Sequence, residues 1–199
     1  MAIPRRLVRF CKRLLVFLLV VFTVVIFFFF YHNKVTGNLD EYVYELPFAA
    51  GDRHRVVQGY GGLFSHSHIA AIDFAMPVGT PVHAARSGTV FSFRDDSDEG
   101  GVGESYKRKA NYLMIRHDDG SFGCYWHLAL NGVLVKKGRV EKGQPIALSG
   151  ATGLVVRPHL HFSVKRRLNY DMDSFVRTIF RTAKGEQLLL NGRAYKRPE

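Results

Sequence analysis

The chain has 199 residues, a formal net charge of +11, 47% hydrophobic and 23% charged residues, and two cysteines. That length suits one domain with appendages, and two cysteines are too few for a disulfide scaffold. The basic excess admits anionic polymers or lipid headgroups as partners, but the chain carries no nucleic-acid-binding motif.

The first predicted element is apolar. Leu14 to Tyr31 reads LLVFLLVVFTVVIFFFFY, 18 residues without a charge, and as a helix it spans about 27 Å, close to the thickness of a bilayer core. Arg5, Arg6, Arg9, Lys12 and Arg13 precede it with no acid among them. The positive-inside rule therefore keeps residues 1–13 in the cytoplasm and exports the rest through the cytoplasmic membrane to the periplasmic side. A cleaved signal peptide has a shorter apolar region followed by an Ala-x-Ala-like site. Here Phe27 to Phe30 lead into Tyr31-His32-Asn33-Lys34, and no such site follows. The expectation is an uncleaved signal-anchor over 14–31. Outside it, 23 basic residues face 17 acidic ones, a balance of +6. Cys11 and Cys124 fall on opposite sides of the membrane in this topology, so they cannot pair within one chain.

Residues 32–50 read as a linker with some extended character, and 51–166 as the folded domain. Gly, Pro and short β-branched runs alternate there, and helical periodicity is scarce. Predicted strands are Arg55 to Gln58, Ala71 to Phe74, Pro81 to Ala84, Gly88 to Phe93, Tyr112 to His117, Phe122 to His127, Pro145 to Ser149 and Leu160 to Lys165. Asp118-Asp119-Gly120 is a hairpin signal and Lys142-Gly143-Gln144 a turn. Together they predict an all-β fold, a small antiparallel sandwich or barrel-like domain. Residues 94–111 form a long polar insertion, either a surface loop or one wall of a groove. Residues 167–199 are too apolar for a free tail and are expected to pack on the domain as strands or a short helix.

The chemistry centres on Pro158-His159-Leu160-His161-Phe162. In a strand, His159 and His161 share one face while Leu160 and Phe162 face a core. Two imidazoles on one face can hold a metal and place a second imidazole beside it. Three further groups could join them: Phe64-Ser65-His66-Ser67-His68 with Ile72-Asp73-Phe74, Tyr125-Trp126-His127-Leu128, and Ser149-Gly150-Ala151-Thr152-Gly153. Catalytic zinc takes three protein ligands and keeps a fourth position for water. Hydrolysis also needs a proton carrier and support for an oxyanion. The histidines and Asp73 can meet all of these needs. His117 and His83 have no such context and read as ordinary strand or surface residues, while His54 and His32 read as surface residues. Gly150 and Gly153 read as backbone devices, and Arg157 as solvated.

Residues 46–166 resemble the catalytic domain of the lysostaphin-type zinc metallopeptidases, also called the LytM family. The resemblance lies in Ile72-Asp73-Phe74-Ala75-Met76-Pro77-Val78-Gly79-Thr80-Pro81-Val82, Ala84 to Val90, Tyr125-Trp126-His127-Leu128, Gly150-Ala151-Thr152-Gly153 and Pro158 to Phe162. It implies an antiparallel β fold with a substrate groove, zinc as cofactor, and endopeptidase cleavage of bacterial peptidoglycan. By motif, it implies Asp73 and His161 as zinc ligands and His127 and His159 as the two catalytic histidines. In the common pattern the first ligand stands four residues before the aspartate, a place held here by Ile69. The Phe-Ser-His form of a subgroup points to His66, with His68 as the alternative. A shortened turn near Gly138 is the other departure from the pattern.

A different reading is a catalytically silent peptidoglycan-binding or regulatory module that activates other wall hydrolases. Such members have usually lost a ligand, whereas this chain retains candidates for all three. A β-barrel carrier or phosphotransfer domain is a weaker reading, opposed by Asp73 and the paired histidines.

Overall fold

The computed structural model describes residues 5–32, 38–62, 65–67, 69–168 and 174–199, without the side chains of Arg5 and residues 27–32. The chain divides into two compact units, Met1–Lys34 and Val35–Glu199.

The first unit is one helix, α1 (Arg5–His32). Its large apolar residues from Leu14 to Ile26 are exposed. Among the described residues no helix is long and apolar enough to cross a membrane. The end of the expected anchor, Phe27 to Tyr31, lies where side chains are not described.

The second unit is mostly antiparallel β-structure. Its strands are β1 (Leu39–Glu45), β2 (Arg53–Gln58), β3 (Ala71–Phe74), β4 (Pro81–His83), β5 (Gly88–Arg94), β6 (Gly100–Gly101), β7 (Tyr112–Arg116) and β8 (Phe122–Trp126). They continue as β9 (Leu128–Val133), β10 (Arg139–Val140), β11 (Pro145–Ser149), β12 (Gly153–Leu154), β13 (Leu160–Lys165), β14 (Phe175–Thr182), β15 (Gly185–Gln187) and β16 (Ala194–Lys196). The main sheet runs β10-β5-β7-β8-β13-β3-β2-β16, with β14 bonded to β13 and carrying β1 and β15. A second sheet, β4-β11-β9, stands apart from it. Only β1 with β14 and β6 with β12 pair in parallel among the described strands.

Alternation along the strands separates core from working surface. Leu160, Phe162 and Val164 of β13 are buried in the core with Tyr125, Leu113, Ile115 and Ile72. His161, Ser163 and Lys165 point the other way, as period-2 geometry requires. Eight predicted strands are present within a residue or two of their expected limits. The 32–50 segment, expected as a linker, instead supplies β1, and Tyr44, Leu46 and Phe48 are fully buried. Short aromatic alternation beside a polar stretch hid this strand, and its partner β14 lies more than a hundred residues away.

The 94–111 insertion is ordered within the described residues. It forms β6 and a short 3-10 turn over Glu104–Lys109. Asn111 is fully buried and its side chain grips both flanks, donating to Ser97 O at 2.8 Å and Ala129 O at 3.1 Å. The apolar C-terminal segment contributes strands β14, β15 and β16, and no helix among the described residues.

Candidate metal centre and active site

β13 lies between β3 and β8, and register sets the site. His161 stands directly opposite Asp73 on one side and Trp126 on the other. Directly opposed residues in an antiparallel pair share a face, so the carboxylate and the imidazole meet across adjacent strands. His161 Nδ1 is 2.9 Å from Asp73 Oδ1. His66 reaches the same oxygen from the segment before β3, with Nε2 3.3 Å from Asp73 Oδ1 and 3.1 Å from His161 Nδ1. That segment is pinned by Gln58 on β2, whose amide donates to Ser65 Oγ at 2.7 Å. His68, the alternative first ligand, lies outside the described residues.

Hydrogen bonds fix which atoms face the centre. His66 Nδ1 donates to Gly59 O at 3.2 Å, which leaves its Nε2 lone pair aimed inward. His127 Nδ1 donates to Thr152 O at 2.7 Å and His159 Nδ1 to Arg157 O at 2.8 Å. Donating one ring nitrogen to a carbonyl fixes the tautomer and frees the other for a metal or a proton. His66 Nε2, Asp73 Oδ1 and His161 Nδ1 thus form a converging set of donor atoms. Their 2.9–3.3 Å separations are close to the roughly 3.3 Å between ligand atoms of a tetrahedral zinc site with bonds of about 2.0–2.1 Å. The chemistry of the set, two imidazoles and a carboxylate, fits a catalytic zinc with an open position.

The electrostatics agree. Burial alone would raise the Asp73 carboxyl, but hydrogen bonds and charge from His161 and His66 outweigh it and hold the group well below the usual carboxylate range. Asp73 therefore stands ionised, ready to balance a cation.

His127 and His159 adjoin the centre, with ring centroids 4.7 Å apart. His159 Nε2 lies 3.8 Å from Asp73 Oδ2. His127 occupies the left-handed region, at φ 64°, between the end of β8 and the start of β9. That conformation costs a non-glycine residue about 1–2 kcal/mol. It breaks the strand alternation and turns the imidazole toward His159. Gly153, at φ +83°, holds the neighbouring backbone so close to Ala110 that a Cβ would meet Ala110 Cβ at 2.5 Å. The four imidazoles and Asp73 singled out from the sequence are therefore brought together.

Sequence reasoning missed the carbonyls of Gly59, Thr152 and Arg157 that orient three imidazoles, because any residue can offer a carbonyl. It also missed Asn111, whose backbone N–H donates to Thr152 Oγ1 at 3.0 Å. His117, read as a strand or surface residue, lies just past the end of β7, is buried and donates to Ser87 O at 2.9 Å. His54, read as a surface residue, is half-buried and packs on Phe48 at 4.6 Å.

Burial, with the like charge of His159 and His161, pushes the His127 imidazole down to about 3, and burial also lowers His117. Both bind a proton more readily in the unfolded chain, near the ordinary value of about 6.5. Between that value and the folded one the unfolded state holds more protons, so stability rises with pH and is lost as pH falls. Metal-free protein should lose up to about 1.4 kcal/mol per pH unit for each such group below about pH 6.5. Thermal melts at pH 7, 6, 5 and 4 check this, and a flat melting temperature would contradict it.

Comparison with known proteins places these residues in a family. Peptidoglycan DD-endopeptidase ShyA of Vibrio cholerae is 42% identical over 93 residues, covering 46% of this chain and 19% of its own length. DD-carboxypeptidase/endopeptidase Mpg of Neisseria meningitidis is 37% identical over 94 residues, covering 47% of this chain and 19% of its own. The chain thus matches about a fifth of the length of these relatives. The solved catalytic domain of lysostaphin from Staphylococcus simulans is 27% identical, with a TM-score of 0.46 over 62% of this chain and 86% of that domain. The family profile matches residues 67–173, beginning one residue after His66 and taking in Asp73, His127, His159 and His161; the chain belongs to Peptidase family M23.

Proposed function

We propose that the chain is a zinc-dependent endopeptidase that hydrolyses peptide bonds in the stems or cross-links of bacterial peptidoglycan. The observation that carries this reading is the convergence of His66 Nε2, Asp73 Oδ1 and His161 Nδ1 within 2.9–3.3 Å. Membership of a peptidase family and relatives named as peptidoglycan endopeptidases support the reaction and the substrate.

His66, Asp73 and His161 would hold the ion. Zinc, when bound, supplies Lewis acidity, lowering the pKa of a coordinated water toward about 7 and polarising a carbonyl. His159 Nε2 lies 3.8 Å from the Asp73 carboxylate. It is placed to take a proton from the attacking water and return it to the leaving amine, with Asp73 Oδ2 as a nearby counter-charge. His127 resists protonation and offers its Nε2 lone pair, while the bond to Thr152 O holds the ring in place. It orients water or a substrate N–H by accepting a hydrogen bond at Nε2.

In the same proposal α1 anchors the chain in the cytoplasmic membrane, with the β unit in the periplasm. The basic run before Leu14 and the exposed apolar side chains of Leu14 to Ile26 support this.

Chelation supplies the test. Purified full-length protein should contain about one zinc per chain and release soluble muropeptides from isolated sacculi. A strong chelator should abolish release, and added zinc should restore it. Full activity after complete chelation would refute the zinc reading. Protein with no metal and no hydrolysis would favour the silent regulatory module.

A further inference from the structure

Trp126 is the single tryptophan of the chain, and none of the chemistry above uses it. Register runs a row of directly opposed residues across the working face of the main sheet: Asp73, His161, Trp126, Tyr112 and Arg94. The rings of Tyr112 and Trp126 lie 4.8 Å apart at 38°, and both residues are half-buried, so part of each remains accessible. Arg94 ends the row, bound to Asp96 at 2.6 Å, and the Tyr112 hydroxyl lies 3.3 Å from Ser92 Oγ, so the aromatic pair offers its ring faces as apolar surface.

Neighbouring strands are about 4.8 Å apart, so Trp126 lies roughly 5 Å and Tyr112 roughly 10 Å from His161 along the row. An extended peptide advances about 3.4 Å per residue. Only groups within one to three residues of a bond held at His161 therefore reach these rings. That range selects a peptide side chain over a saccharide further along the substrate.

We propose that Trp126 and Tyr112 form a specificity subsite that packs the alkyl side chain of a peptide residue beside the cleaved bond. This inference rests on the endopeptidase reading for its position. Its binding step can be tested without hydrolysis, because every tryptophan photon comes from the subsite.

Full-length protein carrying His159→Ala, in detergent micelles, is titrated with a sugar-free, alanine-bearing cross-linked peptide and separately with a peptide-free disaccharide. The peptide should shift the Trp126 emission saturably, and the disaccharide should leave it unchanged. In the active protein, Trp126→Ala should raise KM about tenfold with kcat changed less than twofold, the scale expected for one methyl group in an apolar pocket. It should also remove most of the preference for alanine-bearing over glycine-bearing peptides. Trp126→Phe, which keeps a ring, should retain that preference and guards against a variant that merely folds poorly. The proposal is overturned by unshifted emission at saturating peptide, by a shift from the disaccharide alone, or by an unchanged alanine-to-glycine ratio. A saturable shift in a wild-type protein that hydrolyses nothing would remove the endopeptidase reading and keep the subsite.

Discussion

Replacing His161 by alanine is expected to remove metal and hydrolysis together. His161 supplies one of three converging donor atoms, from the middle of the main sheet. A site of one carboxylate and one imidazole loses chelation, and the several kcal/mol of charge stabilisation that the ion supplies goes with it. At about 1.4 kcal/mol per tenfold, hydrolysis should fall at least about a thousandfold. Elemental analysis should show substoichiometric zinc, and circular dichroism should retain the β signature. Undiminished zinc in the His161→Ala protein would mean that the ion sits elsewhere.

His159→Ala should separate the two properties. Its Nε2 lies beyond the shared oxygen, 3.8 Å from Asp73 Oδ2, and its other nitrogen is committed to Arg157 O. The variant should bind zinc normally and lose about 10²–10⁴ in kcat, the range of a positioned general acid–base. A protein that loses zinc in proportion to activity would make His159 a ligand and reassign the centre.

Much of the site was legible because its residues carry their own chemistry. An His-x-His in an alternating apolar strand can place both rings on one face. That inference uses period 2 alone, whereas the ligand roles of Asp73 and His161 came from the resemblance of ordered motifs to the LytM family. The choice between His66 and His68 was different. It depends on how a short polar segment turns before β3, and the contacts that pin that turn, Gln58 to Ser65 and Gly59 O to His66, follow from no local periodicity. The same limit explains β1. A parallel partner at the far end of the chain leaves no local signature, and polar Asp40, Glu41 and Glu45 made the segment look like a tether. The polar insertion at 94–111 was recognised as unusual, but its order comes from the buried side chain of Asn111, and composition does not reveal which asparagine turns inward.

The alternation of β13 carries a consequence for making the protein. Leu160 and Phe162 fill the interior while His161, between them, meets Asp73. A slip of one residue would send the imidazole inward and the apolar side chains outward. Misthreaded molecules would therefore be unable to load the ion, so zinc stoichiometry doubles as a quality gauge for each preparation, independent of any substrate.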